Sequence, residues 1–173
     1  MKDYGGERKG MAETRWLDAE EQRTWLSFVA ATRLFFAELE RDLQRDAGMP
    51  FTYYLILTAL SNKPDRSMRM NELAEILQIS ASRLSHAMSR LEEAGWVRRE
   101  HCPSDRRGWI GTLTDEGYSM LENAAPQHVE SVRTHLFDQL TPQQIAQLRE
   151  ISESLVCHLV PTMSPAVRET LGV

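Results

Sequence analysis

The chain has 173 residues, 42% hydrophobic and 26% charged, and carries a formal net charge of −5. That size suits one domain, or one domain with an oligomerisation arm, and is long enough to bury a core without disulfides. The acidic balance argues against broad, nonspecific coating of nucleic acid, while leaving room for a local basic patch.

The first residues, MKDYGGERKGMAE, have no apolar signal-peptide core, and residues 1–16 read as a disordered tail. No run approaches the length of a membrane span. Cys102 and Cys157 form no CxxC pair, which fits a reducing compartment. The expected location is the cytoplasm.

Residues 17–48 predict a long helix. Asp18 and Glu21 have capping-box spacing, and Trp25, Phe28, Val29, Thr32, Phe35, Phe36, Leu39 and Leu43 recur on one stripe. A small domain cannot cover so long a stripe, so packing against a second copy is its natural use. AGMP at 47–50 ends it with a glycine cap and a proline stop. FTYYLILTALS at 51–61 is nearly all apolar and predicts a short buried helix. NKPDRS at 62–67 reads as a turn.

Leu73, Ala74, Ile76 and Leu77 then form one side of a short helix, and Ser80 caps another. Leu84, Ala87, Met88, Leu91 and Ala94 make the apolar face of that second helix. Ser82, Arg83, Ser85, His86, Ser89 and Arg90 make its other face, and Gly95 ends it. Two strand-like pieces, 96–100 and 109–113, flank the connection HCPSDRRG. Thr114 caps a helix running to about residue 136. Thr141, Pro142 and Gln144 start the last helix, whose stripe is Ile145, Leu148, Ile151, Leu155 and Leu159, with Pro161 as its stop. The expected fold is mainly α with a small β-wing. It is a winged helix-turn-helix lobe over 51–114, flanked by dimerisation helices at 17–48 and 115–161, with a tail at 162–173.

The hydroxyl-rich face of the second helix in that lobe has the chemistry of a major-groove reader. Short side chains let the backbone approach, and donors reach base edges and phosphates. Ser80, Ser82, Arg83, Ser85 and His86 lie on its N-terminal turns, with Arg90 further along. Its N-terminus also offers free N–H groups to a phosphate. Taken alone, such a face is equally the solvated side of an ordinary amphipathic helix. Local charge favours the DNA reading: between Ser80 and Thr112 six arginines face four acids, a net of +2, which leaves −7 to the rest of the chain. Arg106 and Arg107 sit on the hairpin, and a hairpin tip can carry arginine into a narrow minor groove. Asp105 would repel phosphate, but it is placed to hold Arg107 by a charge-assisted hydrogen bond. Gly108 permits close backbone approach.

These motifs, in this order, resemble the MarR family of transcription regulators. ELA at 72–74, SASRLSHAMSRLEEAGWVRRE, DRRG, and then Leu113, Thr114 and Gly117 correspond to its helix-turn-helix and wing signatures over about residues 17–160. Gly111 departs from the pattern, standing where the family usually has a branched apolar residue, and implies a softer second wing strand. The resemblance implies a homodimeric repressor on a pseudo-palindromic operator. Arg107 would enter the minor groove, supported by Asp105. Arg106 would contact backbone, Arg90 a phosphate, and Ser82, Arg83, Ser85 and His86 the major groove.

The resemblance also implies release from DNA by a small aromatic or phenolic effector. The candidate contacts are Trp16, Arg33, Phe36, Tyr53 and Tyr54, although Phe36 and the tyrosines equally suit a core and Arg33 a surface. Residues 51–60 lack the acid that the urate-responsive branch pairs with its tryptophan, so that ligand is not carried over. A redox-responsive alternative rests on Cys102, near Arg98, Arg99 and His101, where positive charge would activate a thiol. The peroxide-sensing branch instead has its cysteine near the start of the first long helix, where this chain has none. Cys157, among apolar residues, is expected to be inert. The five scattered histidines suggest no metal site. No cofactor is expected, and no nucleophile set, phosphate loop or HExxH motif suggests an enzyme. A winged helix used for protein contact is the other alternative. It would need an apolar or acidic recognition face.

Overall fold

The computed structural model describes residues 14–102 and 105–159, with only the backbone of 105–107. Most of the expected N-terminal tail, the tail at 162–173 and the stop at Pro161 lie outside the described residues. In chain order the elements are α1 (Ala19–Ala47), α2 (Phe51–Ser61), β1 (Ser67–Arg69), α3 (Met70–Ile76), α4 (Ala81–Glu93), β2 (Val97–Cys102), β3 (Asp105–Leu113), α5 (Asp115–His135), a 3-10 turn (Phe137–Gln139) and α6 (Pro142–Leu159). This is a mainly helical winged helix-turn-helix with a three-stranded antiparallel sheet. Two compact units divide the chain, Met1–Leu34 and Phe35–Val173.

In the first unit, α1 begins with the expected capping box. The Asp18 N–H donates to Glu21 Oε2 at 2.9 Å, and the Glu21 N–H donates to Asp18 Oδ1 at 2.8 Å. Trp25, Leu26 and Phe28 are exposed on it.

In the second unit, α1 ends in a left-handed glycine, Gly48 (φ 61°), while the Met49 N–H reaches back to the Leu43 carbonyl. That closure satisfies a terminal carbonyl and buries Met49. Glu40 of α1 accepts the Phe51 N–H at 2.9 Å and so caps α2, whose own N-cap residue, Pro50, provides no side-chain bond. The apolar run of α2 enters the core: Ile56, Leu57 and Leu60 are fully buried, and Leu73, Leu84, Met88, Leu91, Val97 and Leu113 pack in the same cluster. Asp42 ties the end of α1 to α5, accepting from Ser131 Oγ at 2.5 Å and facing His135 Nε2 at 3.0 Å.

The sheet departs from expectation in three ways. First, β1 forms where a turn was expected to give way directly to helix. It pairs with β3 through Ser67↔Thr112, Met68↔Gly111 and Arg69↔Ile110, giving strand order β1-β3-β2. Three residues are too few to show a period, so nothing in the pattern marked them. Arg66, in a left-handed conformation, anchors them: its carbonyl accepts the Leu113 N–H, and its guanidinium pairs with Asp115 and lies 4.0 Å over the Tyr118 ring. Second, β2 and β3 extend further toward the tip than 96–100 and 109–113.

Third, Gly111 does not loosen its strand. It is the centre of the middle strand, paired on both sides with Met68 and Arg99. A Cβ there would lie 2.7 Å from Cε of the fully buried Met88. The missing side chain lets the sheet rest on the methionine of α4. Ala94, expected on the apolar face of α4, is exposed, because the helix ends at Glu93 and the chain turns there.

Candidate nucleic-acid interface

The orientation of α4 follows from its buried stripe. Leu84, Ala87, Met88 and Leu91 are sunk into the core, which fixes the rotation of the helix. Its start is fixed by Ser80, whose Oγ accepts the Arg83 N–H at 3.3 Å. The opposite face therefore carries Ser82, Arg83, Ser85, His86 and Arg90, all exposed, beside the exposed cap Ser80. Ser89 is half-buried and donates to the Ser85 carbonyl at 3.0 Å, leaving its hydroxyl engaged within the helix.

The cations of this region divide by partner. Arg99 of β2 is held by Glu92 of α4: Nη2 and Nε lie 2.6 and 3.0 Å from Oε2, and the Arg99 N–H donates to Oε1 at 2.9 Å. That guanidinium keeps the Glu92 carboxyl below its ordinary range, despite partial desolvation. Arg90 pairs with Glu93 at 2.8 Å and Arg98 with Glu100 at 3.0 Å, all four side chains being largely exposed. Arg83 has no ion pair among the described residues.

Asp105, Arg106 and Arg107 lie on β3, at the tip side of the wing. Their side chains, and the expected bond between Asp105 and Arg107, lie outside the described residues. The β2–β3 ladder is regular as far as His101↔Trp109, then shifts to Cys102↔Asp105. A groove of about 550 Å³ opens between the start of α3, the start of α4 and this wing, and Arg69, Ser85, Arg99, Gly108 and Trp109 are among its walls. Sequence reasoning missed Arg69 and Trp109. The signal for Trp109 was present in an exposed aromatic directly after DRRG, but without the register nothing tied it to α4.

Two cysteine expectations are corrected. Cys102, on which the redox-responsive alternative rests through its neighbouring cations, is buried at 5% exposure, whereas a redox sensor needs access as well as thiolate character. Cys157, expected to sit inert among apolar residues, is exposed, because it lies on the opposite side of α6 from the apolar stripe of Ile145, Leu148, Ile151, Leu155 and Leu159.

Of the candidate effector contacts, Trp16 and Arg33 belong to the first unit, and both are exposed. In the second unit Tyr54 is buried and Tyr53 half-buried, but Phe36 is exposed rather than core. Phe36 and Tyr54 join one aromatic series across three helices. The Phe36 ring lies 5.9 Å from Phe51, Phe51 lies 5.9 Å from His128, and His128 lies 4.3 Å from Tyr54. His128, absent from the expected set, has a buried Nδ1 without a hydrogen-bond partner, and burial pushes its imidazole below the ordinary value.

Comparison with known proteins gives a consistent result. A model of the MarR family matches residues 47–108. Sco3205, a MarR family transcriptional regulator from Streptomyces coelicolor solved in complex with DNA, is 53% identical over 87% of this chain and 94% of that one, with a TM-score of 0.81. AbsC, a MarR family transcriptional regulator from the same organism, is 42% identical over 84% of this chain and 98% of its own, with a TM-score of 0.77. The regulator PecS of Dickeya dadantii is 32% identical over 90 residues, 52% of this chain and 54% of PecS. The chain spans about half the length of the curated relatives it matches at this level.

Proposed function

Since the chain belongs to the MarR family of transcription regulators, we propose that it is a sequence-specific DNA-binding repressor working as a homodimer in the cytoplasm. The observation that carries this reading is the exposed face of α4, where Ser82, Arg83, Ser85, His86 and Arg90 stand together on a helix locked by its buried side. Hydroxyls and cations on the first turns can meet base edges and phosphates, and the helix lies next to a wing carrying Arg106 and Arg107. A face used for protein contact would be apolar or acidic, and this one is neither. The 53% identity to a regulator solved with DNA supports the same conclusion.

The homodimer is supported by apolar residues left uncovered in the single chain: Trp25, Leu26 and Phe28 on α1, and Ile151, Leu155 and Leu159 on α6. Exposed apolar stripes of this kind need a partner surface. A two-fold dimer would present two copies of α4 to adjacent major grooves of a pseudo-palindrome. Release would come from a small aromatic or phenolic effector that favours a spacing of the two lobes unsuited to those grooves. The aromatic series from Phe36 through Phe51 and His128 to Tyr54 is the natural place for a planar ligand in the second unit.

The test is a gel-shift on DNA from the promoter region of the protein's own gene, over a salt series, with wild type and Arg107→Ala. Sequence-selective, salt-sensitive binding is expected, with Arg107→Ala weaker by about 1–3 kcal/mol and still dimeric. Selective binding at undiminished affinity in the variant would overturn the wing assignment. Failure to select any sequence, from this fragment or from genomic fragments, would overturn the function.

A further inference from the structure

How the wing is aimed can be read from its register, given the DNA-binding reading above. The ladder between β2 and β3 runs evenly from Val97↔Leu113 to His101↔Trp109 and then jumps to Cys102↔Asp105. Arg106, Arg107 and Gly108 therefore fall in a bulge with no opposing residue on β2. A bulge breaks the ladder and re-aims its strand, so beyond it regular strand hydrogen bonds no longer set direction.

The last cross-strand pair before the break is aromatic. The rings of His101 and Trp109 lie 3.9 Å apart at 36°. Residues two apart share a sheet face, so Val97–Leu113, Arg99–Gly111 and His101–Trp109 form one column. The column begins in the core, rests on Met88 of α4 at Gly111, and ends with Trp109 in the wall of the groove shared with Ser85 of α4. The ring pair thus stands at the root of the bulge, on the side facing the recognition helix. Stacked cross-strand rings restrain a hairpin locally, where the backbone ladder has given out.

We propose that the His101–Trp109 stack is a positioning pair that sets the course of the β3 backbone through the bulge relative to α4, and that wing-dependent DNA affinity depends on it. The pair acts through Arg106 and Arg107 and not by its own contact with DNA. Without the stack, β3 loses its one ring contact to β2 among the described residues, at the root of the bulge, and the backbone carrying the arginines must be ordered at the moment of binding.

The test uses the full chain and a duplex selected by the wild type from a randomised pool, with affinity read by fluorescence anisotropy. His101→Ala should bind roughly threefold to tenfold more weakly, the range expected for losing one aromatic pair. His101→Phe should retain wild-type affinity, since it keeps the stack and has no hydrogen-bonding or charged group to offer DNA. In a double-mutant cycle, adding His101→Ala to Arg107→Ala should cost nothing further, whereas adding it to Arg83→Ala should give the sum of the two losses. Thermal melts check that each variant folds, and Trp109→Leu serves as the second stack-breaking variant. Undiminished binding by both stack-breaking variants overturns the proposal. So does failure of His101→Phe to restore affinity, or full additivity with Arg107→Ala. A wild type that selects no sequence from the pool defeats the DNA-binding reading itself, before any variant is compared, and the positioning role with it.

Discussion

Replacing Gly117 by alanine should destabilise the protein, although the usual sign for glycine to alanine inside a helix is the reverse. Gly117 lies in the first turn of α5, where alanine would ordinarily gain up to about 1 kcal/mol. A Cβ at this position, however, would lie 2.0 Å from the Trp96 carbonyl oxygen, 2.8 Å from its carbon and 2.8 Å from Leu113 Cδ1. The first two atoms are backbone, so relief requires moving the chain between β2 and α4 away from the helix. That chain is held by two hydrogen bonds, from the Thr114 N–H to the Trp96 carbonyl at 3.0 Å and from Thr114 Oγ1 to the Gly95 carbonyl at 2.7 Å. Losing both costs about 2 kcal/mol, and overpacking adds roughly 1–3 kcal/mol. Against the helix gain, the net loss is about 2–4 kcal/mol, or roughly 5–15 °C in Tm for a domain of this size. Circular dichroism melts of the variant beside wild type measure it. A Tm equal to or above wild type would refute the claim that the close approach of α5 to the wing root, not backbone freedom, is why glycine stands there.

Three further outcomes follow from the described contacts. Arg83→Ala should weaken operator binding by about 1–3 kcal/mol and lower the slope of log affinity against log salt by roughly one, if Arg83 meets a phosphate; titrations at several salt concentrations decide this. Glu92→Gln should flatten the acid limb of stability. The Glu92 carboxyl titrates below its ordinary value of 4.5 when folded, so it stabilises above that pH and the contribution fades as pH falls through the folded value; melts from neutrality to about pH 3 would show an unchanged limb if the Arg99 pair were immaterial. His128→Phe should remove a stability loss on mild acidification: burial holds the imidazole below 6.5, so the unfolded chain takes the proton first and wild-type stability drops as pH falls from 6.5 toward the folded value. Parallel Tm–pH curves for wild type and variant would contradict this.

The helices were legible because their ends are written in side chains. The capping pairs Asp18–Glu21, Ser80, Thr114 and Thr141–Gln144 all make the bonds their spacing predicts. The buried stripe of α4 was equally plain from its period, and with it the identity of the opposite face. What escaped depends on contacts between distant segments. β1 is stabilised by pairing with a strand more than forty residues away and by Arg66 reaching Asp115 and Tyr118. Gly111 looked like a weakness because its partner, Met88, is visible only once α4 lies under the sheet. Cys102 looked reactive because its neighbours in sequence are cationic, while its burial is set by packing that no local pattern records.

Counting charge gave a net of +2 between Ser80 and Thr112, but the structure changes what that number means. Arg99 and Glu92 form a multidentate pair between helix and strand, so this arginine binds the wing to α4 and is costly to recruit. Arg90–Glu93 and Arg98–Glu100 are exposed single pairs, of the kind worth about 0–1 kcal/mol. Their acids do not cancel them toward a phosphate, because a polyanion can replace Glu93 or Glu100 at little cost. Arg83 has no pair to break among the described residues. The charge this region can offer an anion is therefore set by which acids are firmly engaged, not by the local sum. Glu92, held by the strand, leaves Arg83 and Arg90 as the cations α4 can present, next to hydroxyls on a face that its own buried stripe holds outward.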